Sequence, residues 1–185
     1  MKRADRGEIA LGVTGSIAAY KAVQLTSDLV KKDIGVTVIM TRNALRFVTP
    51  LSFEALSGRP VITDIQCDPE KRAADHVALA EICSVLVVAP ASANIIGKLA
   101  CGIADDALST LALAFPGRLI VAPAMNTLMW DNPIVRQNVE RLKEFGCTLL
   151  EPEEGRLADG KTGAGRLADL AKIVQAVEKT LRKRG

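Results

Sequence analysis

Val85-Leu86-Val87-Val88-Ala89, continued by Pro90-Ala91-Ser92-Ala93-Asn94, is the stretch from which the fold can be read. Five apolar residues in a row, without polar alternation, describe a strand buried on both faces. Such strands belong to parallel sheets covered by helices on either side. Five further runs have the same character: Glu8 to Val13, Gly35 to Met40, Val61 to Asp64, Leu119 to Ala122 and Cys147 to Leu150. Most are separated by stretches with helical spacing. These cover Ile17 to Lys32, a patch around Ala44 to Ser57, one near His76 to Cys83, Ile95 to Phe115 with a break near Gly102, Pro133 to Glu144, and Ala168 to Lys183. The rhythm is β-α-β. It predicts an α/β fold, a doubly wound (Rossmann/flavodoxin-like) parallel sheet of about six strands with helices on both faces, as one domain over 1–185.

Composition agrees. The chain has 185 residues, 49% of them hydrophobic and 24% charged, which excludes disorder and coiled coil. A chain of this size buries roughly 70% of its unfolded surface and needs no disulfide or metal staple. Lys and Arg number 24 against 21 Asp and Glu. The excess gathers at the two ends, as solvated tails do, and aromatics at 3% offer few stacking platforms, so nucleic acid is not an expected partner. No apolar run approaches the ~20 residues of a membrane span and no signal-peptide pattern precedes the first strand, so a cytoplasmic protein is expected. Cys67, Cys83, Cys101 and Cys147 form no C-x-x-C and His76 is the only histidine. No metal site is expected, and the thiols are expected to be free and mostly buried.

In a doubly wound sheet ligands bind beyond the carboxyl ends of the strands. The turns there read Thr14-Gly15-Ser16, Thr41-Arg42-Asn43, Pro90-Ala91-Ser92-Ala93-Asn94 and Pro123-Ala124-Met125-Asn126, all dominated by small residues, hydroxyls and amides. Gly15-Ser16 ends a strand and opens a helix, where backbone N–H groups suit a phosphate; a turn glycine with a capping serine fits the same letters. The spacing is not that of a dinucleotide fingerprint, and Met40-Thr41-Arg42 supplies no acid for a ribose, so NAD is disfavoured.

Gly155-Arg156-Leu157-Ala158-Asp159-Gly160-Lys161-Thr162 matches G-x-x-x-x-G-K-[ST] letter for letter. A P-loop runs from a strand directly into a helix, whereas Gly163-Ala164-Gly165 follows here. Four glycines in eleven residues describe a mobile flap over about 151–167 instead. His76, at the expected start of a helix, is a candidate base or a surface residue. Asn126 can donate to and accept from a carboxylate or amide. Met125, Met129 and Trp130 on the same loop are placed for a ligand rather than as filler. Asp105-Asp106 reads as a helix N-cap pair.

Taken in order, these motifs resemble one family, the homo-oligomeric flavin-containing cysteine decarboxylases, and within it the phosphopantothenoylcysteine decarboxylase branch of coenzyme A synthesis. The resemblance covers nearly the whole chain. It runs through Gly15-Ser16-Ile17-Ala18, His76 with Leu79-Ala80, Pro90-Ala91-Ser92-Ala93-Asn94, Lys98-Leu99-Ala100, Gly102-Ile103-Ala104-Asp105, Leu108-Ser109-Thr110, Pro123-Ala124-Met125-Asn126-x-x-Met129-Trp130, and the flap with Gly163-x-Gly165-Arg166-Leu167.

The resemblance implies FMN, with Gly15, Ser16 and Ile17 at its phosphate, Thr41 beside it, and Ser92, Ala93, Asn94 and Ala124 along the flavin. It implies that His76 is the base and that Asn126 anchors the substrate carboxylate with Met125 next to it. Arg156, Ala158 and Leu167 become flap contacts closing over the substrate. It further implies a homotrimer or a dodecamer of trimers. The expected reaction is decarboxylation of 4′-phosphopantothenoylcysteine to 4′-phosphopantetheine, in which hydride loss to flavin creates a thioaldehyde as electron sink. Many members carry a flap cysteine as proton donor where this chain has Asp159, so protonated Asp159, another flap residue or water is expected to supply that proton. Three alternatives accompany this reading: oxidative decarboxylation of a C-terminal peptidyl cysteine to an aminoenethiol, the related flavin prenyltransferases, and a non-catalytic regulatory subunit. The ligase domain often fused to such enzymes is not expected in a chain of this length.

Overall fold

The structure, a computed structural model, describes residues 6–63, 78–158 and 160–182. Six parallel strands form one sheet: β1 (Glu8–Val13), β2 (Gly35–Met40), β3 (Ile62–Thr63), β4 (Val85–Ala91), β5 (Arg118–Pro123) and β6 (Thr148–Leu149). Their spatial order is β3-β2-β1-β4-β5-β6, the doubly wound arrangement with its topological switch between β1 and β4. Pairing is in register from Ile9↔Val85 to Gly12↔Val88 across that switch.

The continuous apolar strands serve two cores at once. In β1, Ile9, Leu11 and Val13 join one cluster, while Ala10 joins the other. In β4, Val85, Val87 and Ala89 face the first cluster, and Leu86 and Val88 the second. Helices α1 (Ala19–Val30), α2 (Pro50–Ser57) and α7 (Leu170–Arg182) cover the first face. The second is covered by a helical stretch at 78–82 together with α3 (Ala93–Cys101), α4 (Ala107–Ala114) and α6 (Pro133–Glu144). Each Ile or Leu so enclosed contributes about 2 kcal/mol of transfer free energy.

The break expected near Gly102 is a complete turn between two helices. Gly102 takes a left-handed conformation with φ of 69° at the end of α3, and Asp106 caps α4 in a reciprocal box with Ser109. Among the described residues no helix is long and apolar enough to cross a membrane.

The glycine-rich stretch has regular structure: it is a two-stranded antiparallel ribbon, β7 (Glu153–Arg156) paired with β8 (Thr162–Arg166), within the segment expected as a flap. Thr162 opens a strand, so no helix begins at Lys161 and the P-loop reading fails on geometry. Of the cysteines, Cys83 is buried, Cys147 half-buried and Cys101 exposed. The expected general burial of thiols therefore holds for one of these three, and Cys67 lies outside the described residues.

Candidate active site

A parallel sheet places all its carboxyl ends on one edge, and side-chain hydroxyls sew the turns of that edge together. Thr14, 1% exposed, donates its hydroxyl to the Pro90 carbonyl at 2.8 Å and accepts from the Ser92 N–H at 3.0 Å. Ser16 donates to the Ala124 carbonyl at 3.3 Å and accepts from the Ala18 N–H. The Ala124 N–H reaches the Ala91 carbonyl at 3.0 Å, and the Thr41 N–H the Val13 carbonyl at 3.0 Å. The turns after β1, β2, β4 and β5 thus form one continuous rim.

Close approach explains Gly15. A Cβ there would lie 2.6 Å from Asn43 Cβ, so only glycine lets the first turn pass against the second. The Ser92 hydroxyl accepts from the Ile95 N–H and caps α3. The N–H groups of Ala93 and Asn94 fall in the first turn of that helix, where the helical ladder provides no acceptors and the dipole is positive. The start of α1, just past Ser16, presents a second positive end to the same rim. Neutral N–H donors, hydroxyls and the small side chains of Gly15, Ala93 and Ala124 suit a phosphoryl group and a flat ring system.

Asn126 caps the short helix α5 (Thr127–Trp130), its Oδ1 accepting from the Leu128 N–H at 2.8 Å. That bond turns the carboxamide so that the end opposite the cap is its NH2, the donor a carboxylate calls for. The ribbon lies directly on this turn. The Met125 N–H donates to the Gly165 carbonyl at 3.0 Å, and a Cβ at Gly165 would collide with the Met125 carbonyl oxygen. Gly163 comes equally close to the Thr127 side chain, whose hydroxyl is buried without a hydrogen-bond partner among the described residues.

The rim therefore brings together Gly15, Ser16, Thr41, Ser92, Ala93, Asn94, Ala124, Met125 and Asn126 as expected, with Ile17 exposed beside it. Arg156 and Ala158 are exposed on and beyond β7. Leu167, expected as a flap contact, is 2% exposed and packed into the first core with Ala168 and Ile173. Trp130 is likewise core, 4% exposed, with the Arg136 guanidinium 4.6 Å above its ring. It was expected to serve a ligand, but the last turn of α5 points it inward; Met129 remains exposed. His76 and Asp159 lie outside the described residues. Sequence reading passed over Thr14 and Thr127. The signal for Thr14 was a hydroxyl at a strand end facing Pro90, a residue with no N–H to offer.

The less exposed ion pairs lie away from this rim. At the amino edge Arg59 grips Glu8 through both terminal nitrogens, at 2.5 and 2.9 Å, and also reaches the Thr37 hydroxyl. The Glu8 hydrogen bonds push the guanidinium further above its ordinary value, against burial. Burial, aided by the Glu8 charge, pushes the nearby Cys83 thiol up to about 12. Lys98 lies 2.6 Å from both Asp105 and Asp106. Burial works against the Asp106 charge, but Lys98 and Ser109 outweigh it and hold the carboxyl below its usual value. A groove of about 720 Å³ also opens at this edge between Lys98, Phe115, Arg118, Phe145 and Cys147. It contains none of the turn hydroxyls or amides, so the carboxyl edge is the better candidate.

Comparison with known proteins places this geometry. The family profile described as Flavoprotein matches residues 2–182. The coenzyme A biosynthesis bifunctional protein CoaBC of Bacillus subtilis is 47% identical over 171 residues, which are 92% of this chain and 42% of that longer protein. The chain thus spans less than half the length of that relative. A probable phosphopantothenoylcysteine decarboxylase of Streptococcus mutans is 42% identical over 94% of this chain and 98% of its own. Among solved structures, the FMN-dependent cysteine decarboxylase SpaF superposes with a TM-score of 0.83 at 33% identity, covering 97% of both chains. The profile match over nearly the whole chain shows that the chain belongs to the Flavoprotein family.

Proposed function

We propose that the chain is an FMN-dependent decarboxylase that converts 4′-phosphopantothenoylcysteine to 4′-phosphopantetheine. The observation that carries this reading is the rim: two helix starts, α1 and α3, joined across the switch point by Thr14 and bound to the Asn126 turn through Ser16 and Ala124. The end-to-end similarity to the Streptococcus mutans decarboxylase supports the substrate, and the name of SpaF supports the cofactor.

The residues fit FMN by their chemistry. Gly15, Ser16 and Ile17 would hold the phosphate with backbone N–H groups and one hydroxyl, Thr41 would lie beside it, and Ser92, Ala93, Asn94 and Ala124 would line the ring system. Bound FMN supplies the hydride acceptor without which a cysteine carboxylate has nowhere to delocalise the electrons left by CO2. The Asn126 amide, fixed by its cap, would donate to that carboxylate with Met125 beside it. The ribbon, seated on the same turn, would bring Arg156 and Ala158 over the substrate and exclude water. His76 is assigned the base and Asp159 the acid that protonates the enethiol. A homotrimer or larger assembly and a cytoplasmic location belong to the same reading.

A second reading is oxidative decarboxylation of a C-terminal peptidyl cysteine. The acid at position 159 favours it. Anaerobic incubation with 4′-phosphopantothenoylcysteine, following CO2, product mass and flavin absorbance, separates the two. The first reading requires 4′-phosphopantetheine with flavin ending oxidised. Enethiol with bleached flavin selects the second, and a protein that binds no flavin overturns both.

A further inference from the structure

We propose that Thr14 is the positioning residue that sets the two cofactor-facing turns at the switch point in their relative place; this rests on the FMN reading above. Backbone pairing between β1 and β4 runs from Ile9↔Val85 to Gly12↔Val88. Beyond it β4 shifts register against its other neighbour, β5, between Val88 and Ala91 and passes through Pro90, which has no N–H to continue a ladder. The Thr14 hydroxyl takes over where the backbone stops. It donates to the Pro90 carbonyl at 2.8 Å and accepts from the Ser92 N–H at 3.0 Å.

A hydroxyl is required because one atom must both give and receive a hydrogen bond. The side chain is 1% exposed, so water does not substitute for either bond. On one side Thr14 adjoins Gly15 and Ser16; on the other it holds the residue that caps α3 ahead of Ala93 and Asn94. Thr14 touches no cofactor in this role. It fixes the distance between the N–H groups for the phosphate and the helix start along the ring, and misplacement of one against the other falls on cofactor affinity.

The test is FMN retention by the flavin-loaded full chain, read as flavin fluorescence released on serial dilution, with unfolding temperature recorded in parallel. Thr14→Val keeps the shape and removes both bonds; it is expected to weaken FMN binding about tenfold or more, the equivalent of one misplaced hydrogen bond. Thr14→Ser is expected to restore affinity to within about threefold of the parent. Thr14→Cys, similar in size to Ser but a weak donor and acceptor, should fall between them and carries the comparison if the Val variant does not fold. A Val variant with parental affinity, or a Cys variant equal to Ser, overturns the proposal while leaving the FMN reading intact. So does an unfolding temperature that drops while affinity stays unchanged, since that marks a purely structural bond. A parent chain that retains no FMN overturns the FMN reading and this proposal together.

Discussion

Replacing Thr127 by valine should tighten the seat of the β7–β8 ribbon. The Thr127 hydroxyl is buried under Gly163 with no partner among the described residues, whereas on a lifted ribbon it would be hydrated. A buried hydroxyl without a hydrogen bond costs about 1–3 kcal/mol, and a same-shaped apolar group removes that cost. Taking 1–2 kcal/mol of it as recoverable, the seated state gains about 5- to 30-fold over the lifted one. The Met125 amide reports the change directly, since its N–H is bonded to the Gly165 carbonyl at 3.0 Å only while the ribbon is down. Hydrogen exchange at Met125 should therefore slow by about 5- to 30-fold in Thr127→Val, with amides of β1 unaffected. Lifting the ribbon to release product would become harder, so KM and kcat should fall together. Exchange at Met125 that is unchanged or faster would refute the reasoning, because it would mean that the hydroxyl costs nothing where it lies.

Glu8→Gln or Arg59→Met breaks the Glu8–Arg59 pair and leaves a charge without its main counter-ion, both side chains being 10% exposed. Each variant should lose about 3–5 kcal/mol, about 6–20 °C in Tm for a domain of this size, and Glu8→Leu with Arg59→Met should recover most of it in a thermal melt. The depressed Asp106 carboxyl stabilises the fold above its ordinary value of 3.8 and loses that contribution as pH falls through its lower folded value. Asp106→Asn should therefore flatten the acid limb of a Tm-against-pH curve, and Asp106→Ala should cost about 1 kcal/mol of cap at neutral pH. Iodoacetamide should label Cys101 in the native protein at pH 8 and leave Cys83, 2% exposed with its thiol pushed up to about 12, untouched in a peptide map. His76→Asn should abolish CO2 release while the purified protein stays yellow; residual turnover near the parental rate would remove His76 as the base.

Local signals were enough for most of the scaffold. The apolar runs at Glu8–Val13 and Gly35–Met40 and the periodic stretch Pro133–Glu144 coincide with their elements residue for residue. Period and strand character are properties of contiguous residues. The break near Gly102 was visible for the same reason, through a left-handed glycine and a capping acid four positions apart. Tertiary choices were not visible. Glycine richness reads alike in a loose loop and in strands that must press on another turn, so the ribbon was missed. Trp130 and Leu167 adjoin the rim in sequence, but the turn of α5 and the exit from β8 rotate them into the core. The Thr14 bonds join residues 76 and 78 positions apart, a pairing no local pattern announces.

Among the described residues the six-stranded sheet ends on both sides in strands of two residues, Ile62–Thr63 and Thr148–Leu149. So short a border exposes few unpaired peptide groups and gives a passing chain little to add itself to. Along those two borders, copies of this protein meeting at high concentration have little ladder to extend, so contact there falls to side chains, whose identity decides who binds whom.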